Sequence, residues 1–239
     1  MGAVVSTTPL MEDVEMSTSP LLGSPKPGTA AASSLAWNVA IFTALTFLLD
    51  AHCNVLAPNL TAIANEFGMH DRERDLMLGG AITVSFLLLG DIVALFFGCL
   101  AGSVPRVPLF CAIQLVAQLS GLAVVLATDF WGLLWLRTIT GVAHACTDVV
   151  SMSIIGDLFG TEDRFTAMGV QQLVVAIGQG FGQLLAGLIG PEMGWRAPFV
   201  VLSVPALLLI PVAFCTLSEP ERASQEEAIK AHPSLNPQP

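Results

Sequence analysis

The sequence predicts an all-α integral membrane protein with six transmembrane helices, and three observations carry that expectation. Hydrophobic residues fill 54% of the 239 positions and charged residues only 12%, about half the charged share of an average soluble domain. The apolar residues gather into six runs, each of about 20 residues, separated by short clusters of charge, Gly and Pro. A helix rising about 1.5 Å per residue crosses a hydrocarbon core of roughly 30 Å in about 20 residues, so each run is long enough to span a bilayer.

Taken in order, residues 1–34 are rich in Ser, Thr, Pro and Gly, with Lys26 the only basic residue. That composition predicts a disordered cytoplasmic tail and lacks the charged start and apolar centre of a secretory signal. Its opening, Met1-Gly2-Ala3-Val4-Val5-Ser6, fits the N-myristoylation pattern. On a chain already held by six helices, an acyl group would adjust placement and not anchorage. The transmembrane domain is expected over 35–217, with spans at about 37–60, 76–101, 107–127, 131–155, 165–189 and 198–217. Residues 218–239 turn polar, with acids clustered over 219–227, and are expected as a second cytoplasmic tail.

Lys26, Arg106, Arg164, Arg222 and Lys230 fall on one side of this topology and Arg72, Arg74 and Arg196 on the other. Five basic residues against three place both termini inside a multi-pass protein, whether of a plasma or an organelle membrane. Asn59-Leu60-Thr61 is the only glycosylation sequon and lies at the very end of the first span, too near the bilayer to be used. The net charge of −10 and the absence of Tyr argue against a nucleic-acid partner. Cys53, Cys99, Cys111, Cys146 and Cys215 lie in or beside apolar runs with no metal-ligand spacing, so they read as reduced, packed thiols. No metal or other cofactor is implied.

Four charges fall inside spans: Asp50, Asp91, Arg137 and Asp148. Each is costly in hydrocarbon and is expected to face a polar cavity or a partner. Asp50 opens the cluster Asp50-Ala51-His52-Cys53-Asn54. In the fourth span Arg137, Gly141, His144 and Asp148 recur at helical spacing and form one stripe. One reading is a water-accessible translocation path, in which protonation of Asp50 releases Arg137 and couples an ion gradient to solute movement. The other is a set of fixed polar contacts that never titrate. Asp148 is an alternative partner for Arg137, and His52 and His144 are proton sites or interhelical hydrogen-bonding groups.

Asp91 follows Gly90, but residue 88 is Leu, so the Gly-x-Gly-Asp signature of an intramembrane aspartyl protease fails and no enzyme is expected. In the fifth span Gly178, Gly182 and Ala186 recur every four residues, a pattern that admits close helix approach. Gln171, Gln172, Gln179 and Gln183 share that span and offer hydrogen bonds to a polar solute.

Several connections, in order, carry a resemblance. Gly98-Cys99-Leu100-Ala101-Gly102-Ser103-Val104-Pro105-Arg106 is similar to the Gly-x-Leu-Ala-Asp-Arg-x-Gly-Arg loop of the major facilitator superfamily. Arg137 and Gly141 resemble its fourth-span element, and 156–164, with Asp157 and Arg164, its Asp-Leu-Phe connection. Gly194-Trp195-Arg196-Ala197-Pro198-Phe199 resembles the segment before its sixth span. The resemblance covers about 37–222 and implies the N-terminal half of a secondary transporter, a six-helix unit of three-plus-three inverted repeats. It gives Gly98, Arg106, Asp157 and Arg164 cytoplasmic gating roles. Gly102 and Ser103 replace the loop's Asp and first basic residue, which weakens that charge network.

The segment from Asp50 to Gly68 looks like the first-span region of organic-anion and spinster-like carriers, with Ala51 where Arg is usual. Resemblance to spinster-like carriers implies proton coupling through Asp50 and Arg137. The Gly-Pro pair of drug antiporters is absent, since Gln183 follows Gly182.

The expected function is solute carriage by alternating access, with protons as co-partner. The translocation path is assigned to Asp50, His52, Asn54, Asp91, Arg137, His144, Asp148 and Gln172, and helix packing to Gly141, Gly178 and Gly182. The superfamily normally has about twelve spans, so three readings stand: a fragment missing its C-terminal half, a half-size carrier working as a homodimer, or a non-transporting scaffold or regulator.

Overall fold

The computed structural model describes residues 29–159 and 161–217. The Gly2 motif and the C-terminal tail lie outside the described residues, as do residues 1–28 of the N-terminal tail. Six helical stretches are long and apolar enough to cross a membrane: Trp37–Glu66, Asp71–Leu100, Arg106–Leu126, Phe130–Leu158, Asp163–Met193 and Ala197–Thr216. Among the described residues every regular element is helical.

The first span joins α1 (Thr29–Cys53) to α2 (Leu60–Glu66). Helix α1 starts inside the stretch that composition assigned to the tail, because Ala30, Ala31 and Ala32 favour helix strongly enough to extend it. Pro58 has no N–H to continue the ladder and its ring crowds the preceding turn. The chain therefore leaves α-helix after Cys53 and re-enters it through a 3₁₀ turn, Ala57–Asn59. The second span contains α3 (Asp71–Glu73), α4 (Ile82–Val84) and α5 (Gly90–Ala101), separated by π-helical stretches Arg74–Ala81 and Ser85–Leu89. Single helices form the remaining spans: α6 (Arg106–Ala123), α7 (Phe130–Leu158), α8 (Thr161–Met193) and α9 (Ala197–Thr216). Asp129 caps α7, its side chain accepting from the Gly132 N–H at 3.3 Å. Gly194 follows α8 at φ 88°, a left-handed turn that a residue with a Cβ rarely adopts.

The first span packs on the fifth and sixth, the fourth packs on the second and third, and the third meets the sixth. Exchanging spans 1–3 for spans 4–6 reproduces these neighbours, which is the contact pattern of a three-plus-three repeat. The first and fourth spans form the centre, the third and sixth lie behind them, and the second and fifth flank them.

Small residues set the flanking contacts. A Cβ on Gly178 would lie 2.9 Å from the Phe47 carbonyl, and one on Gly182 would overlap the Ala51 backbone. Gly90 and Gly141 do the same between the second and fourth spans, where a Cβ on Gly90 would lie 2.9 Å from the Gly141 carbonyl.

Two apolar clusters fill the interior, one around Leu45, Phe110 and Ile210 toward the termini, the other around Ile63, Leu133 and Phe199 at the opposite end. Asp50 and Arg137 lie in the zone between them. In the most apolar stretches of the second and fifth spans only 11% and 22% of residues are buried, against 56% in the first. Those two spans are the most open in the bundle.

Candidate functional site

The site starts from the break in the first span. Ending a helix at Cys53 leaves its last carbonyls without backbone donors, and side chains take their place. Arg137 Nη2 donates to the Cys53 carbonyl at 2.5 Å, and Asn54 Nδ2 to the Asp50 carbonyl at 3.2 Å. A guanidinium also suits the negative end of a helix dipole. The cation also lies over two aromatic rings, with Phe86 at 5.2 Å and Phe199 at 5.7 Å from ring centre to Cζ.

One turn before the break, Asp50 is 1% exposed. Its Oδ1 lies 3.0 Å from His144 Nε2, and His144 Nδ1 lies 3.8 Å from Asp148 Oδ2. Carboxylate, imidazole and carboxylate thus form a row linking the first and fourth spans, with His144 midway along the fourth. The expected pair between Asp50 and Arg137 is not formed among the described residues. The two spans run in opposite directions, and with Asp50 level with His144, Arg137 lies about 10 Å, or two turns, further along. That register puts it past the end of α1, within side-chain reach of the Cys53 carbonyl.

The remaining assigned residues separate. Asn54 joins the site and accepts from Gln183 at 3.5 Å. Asp91 is exposed on the second span and shares a cavity of about 500 Å³ with Asp148 and His144. A second cavity, about 420 Å³, is bounded by Cys53, Asn54, Thr83, Phe86, Arg137, His144 and Gln179. His52 faces away, because two residues turn a helix side chain to the far side. It is fully buried, its ring packed against Gly121 and edge-on to Phe199 at 5.4 Å. Gln172 is exposed outside both cavities. Its neighbour Gln171 is buried and borders a third cavity, of about 560 Å³, toward the termini.

Phe86, Thr83 and Phe199 were not legible as site residues, since nothing in the apolar run 84–89 marks Phe86 out. Gly141 makes its position possible, because a Cβ there would lie 2.5 Å from the Phe86 carbonyl. All five cysteines are free, but Cys99 and Cys215 are exposed at the bundle surface rather than packed.

The two ends of the bundle are tied differently. At the end bearing the termini, Arg106 forms an ion pair with Asp157 and donates to the Ser153 carbonyl at 3.3 Å, while Arg164 donates to the Gly156 carbonyl at 2.6 Å. Gly98 lies exposed beside Val149. At the other end, Glu66 accepts from Trp195 Nε1 at 2.6 Å and from Arg196 Nη1, whose nearest carboxylate oxygen is 2.7 Å away. Arg196 also donates to the Ala127 carbonyl at 2.6 Å. One carboxylate and one guanidinium thereby join all three loops at that end.

A family profile described as the Major Facilitator Superfamily matches residues 33–238. The chain belongs to the major facilitator superfamily. Among curated relatives, it is 25% identical over 184 residues to a probable transporter, AQR1, of Saccharomyces cerevisiae, covering 77% of this chain and 30% of that protein. It is 25% identical over 123 residues to citrate exporter 1 of Aspergillus niger, covering 52% of this chain and 23% of the exporter. The chain thus spans less than a third of these relatives' lengths.

Its fold is that of one major facilitator half. A bacterial homologue of the human lysosomal transporter Spinster, inward-facing and occupied, superposes with a TM-score of 0.70 at 21% identity, over 84% of this chain and 48% of that one. The proton:xylose symporter XylE superposes with a TM-score of 0.66 at 18% identity, over 83% and 49%. The chain spans about half of each.

Proposed function

We propose that this chain is the first half of a proton-coupled solute carrier, with both termini cytoplasmic. The observation that supports this best is the row of Asp50, His144 and Asp148 beside a buried Arg137, in cavities that the two most open spans help to line. His144 bridges two carboxylates on different helices, so taking up or releasing a proton changes the attraction between the first and fourth spans. The solute occupies the adjoining cavities, and the second and fifth spans supply the face against which a second six-helix unit rocks. That unit is a C-terminal half or a second copy of this chain. The names of its relatives, transporters and an exporter, agree with carriage of a small solute.

In this scheme the pair of Arg106 and Asp157 holds the cytoplasmic ends of the third and fourth spans in one arrangement, and its opening accompanies the change of access. Uptake of a labelled solute panel into proteoliposomes, with and without an imposed inward proton gradient, tests the reading. Gradient-stimulated uptake of at least one solute is expected. Uptake no faster than in empty liposomes for the whole panel contradicts a carrier built from copies of this chain.

A further inference from the structure

The two cavities that meet at Phe86, Leu87 and His144 differ in charge. Asp91 and Asp148 line the one between the second and fourth spans. No carboxylate lines the other, whose charged group is Arg137. Arg137 is 2% exposed and its Nη2 is committed to the Cys53 carbonyl, but Nε and Nη1 have no hydrogen-bond partner.

A buried guanidinium without a carboxylate partner is costly to fold. The two aromatic faces and one carbonyl offset only part of that cost. Asp50, the acid expected to neutralise it, is held by His144 instead. Thr83 adds a hydroxyl to the same wall and Gln179 an amide, and Phe86 adds an aromatic surface.

From this arrangement we infer that the cavity seats an organic anion, its carboxylate on Arg137 and its apolar body against Phe86. The inference rests on the carrier reading and names its substrate class. A cavity of about 420 Å³ is of the size that small-molecule sites use. The anion supplies the counter-charge that the protein's own acids withhold, with hydrogen bonds to the cation stronger than neutral ones.

The test is equilibrium dialysis of the purified chain in lipid nanodiscs with labelled benzoate, benzamide and benzylamine, which share a ring and differ in charge. Saturable benzoate binding is expected, at least about tenfold tighter than that of either analogue. Arg137→Gln should weaken benzoate about tenfold or more, with Arg137→Lys in between. If Arg137→Gln fails to fold, the double variant Thr83→Val with Gln179→Leu should still weaken benzoate by roughly fivefold.

Equal affinity for benzylamine or benzamide, absence of benzoate binding, or full benzoate affinity in folded Arg137 variants would overturn the inference. Benzoate binding without gradient-driven uptake would count against the carrier reading alone. Uptake of benzylamine without benzoate binding would count against the anion site alone.

Discussion

In the proposed carrier, proton coupling turns on His144. Its ring nitrogens face Asp50 at 3.0 Å and Asp148 at 3.8 Å, so the protonated ring attracts both carboxylates while the neutral ring can donate to only one. An imidazole changes charge within the range in which carriers work. Gradient-driven uptake should therefore be fastest in acid and fall as pH rises through the imidazole range. His144→Gln, which keeps a hydrogen bond to Asp50 but cannot titrate, should flatten that profile, measured as initial uptake rate from about pH 5 to pH 8. Asp50→Asn should flatten it as well. An unchanged profile in both variants would leave the row a fixed structural contact.

The stripe from Arg137 to Asp148 was legible because helical spacing alone puts those residues on one face. The partner of Asp50 was not, since periodicity within each helix says nothing about the vertical register between two of them. Asn59 offers a second check at this scale. It is 5% exposed, and its amide donates to the Val55 and Ala186 carbonyls at 3.4 Å. An oligosaccharide has no access to it, and no mobility shift is expected after glycosidase digestion.

Among the elements, the break in the first span and the contact between the first and fifth do the most to shape the site. The Gly178, Gly182 and Ala186 repeat announced close packing, and the structure puts Phe47, Ala51 and Asn59 of the first span against that line. Gly182→Leu inserts a side chain where the Ala51 backbone lies. Overpacking of this kind costs about 1–3 kcal/mol or more, read as a lowered melting temperature and reduced yield of folded protein in detergent. Exposed Gly180, with nothing within 4 Å of a Cβ, should accept Ala at little cost. The π-helical stretches of the second span had no counterpart in the sequence reading, since hydrophobic runs mark length and not winding.

The loop clamp at the end away from the termini belongs to this scale too. Glu66→Gln keeps the hydrogen-bonding shape and removes the charge facing Arg196. Because Glu66 is 44% exposed, the loss should be near the lower end for charged hydrogen bonds, about 1 kcal/mol. Thermal unfolding of the purified chain should show a drop of a few degrees. The clamp's Trp195 and Arg196 belong to the motif before the sixth span and Glu66 to the segment from Asp50 to Gly68, and neither resemblance says that the two meet.

At the scale of the molecule, six spans, their order and their superfamily followed from hydropathy and loop motifs, because a bilayer allows few ways to satisfy a backbone. Which faces stay open did not follow, since an apolar face suits lipid and a neighbouring helix equally well. The second and fifth spans are the least buried, and Asp91 of the second is exposed in the cavity it shares with the fourth. A carboxylate so placed within a span requires water or a partner beside it.

The proposed carrier holds a proton-linked solute site on its first and fourth spans. Solute-triggered proton flux tests it most directly, recorded with a pH-sensitive dye trapped inside proteoliposomes when solute is added outside. Internal acidification is expected with the wild-type chain, and loss of at least about nine-tenths of that signal in Asp50→Asn and His144→Gln. Solute entry with no proton movement, or proton movement undiminished in both variants, would contradict it.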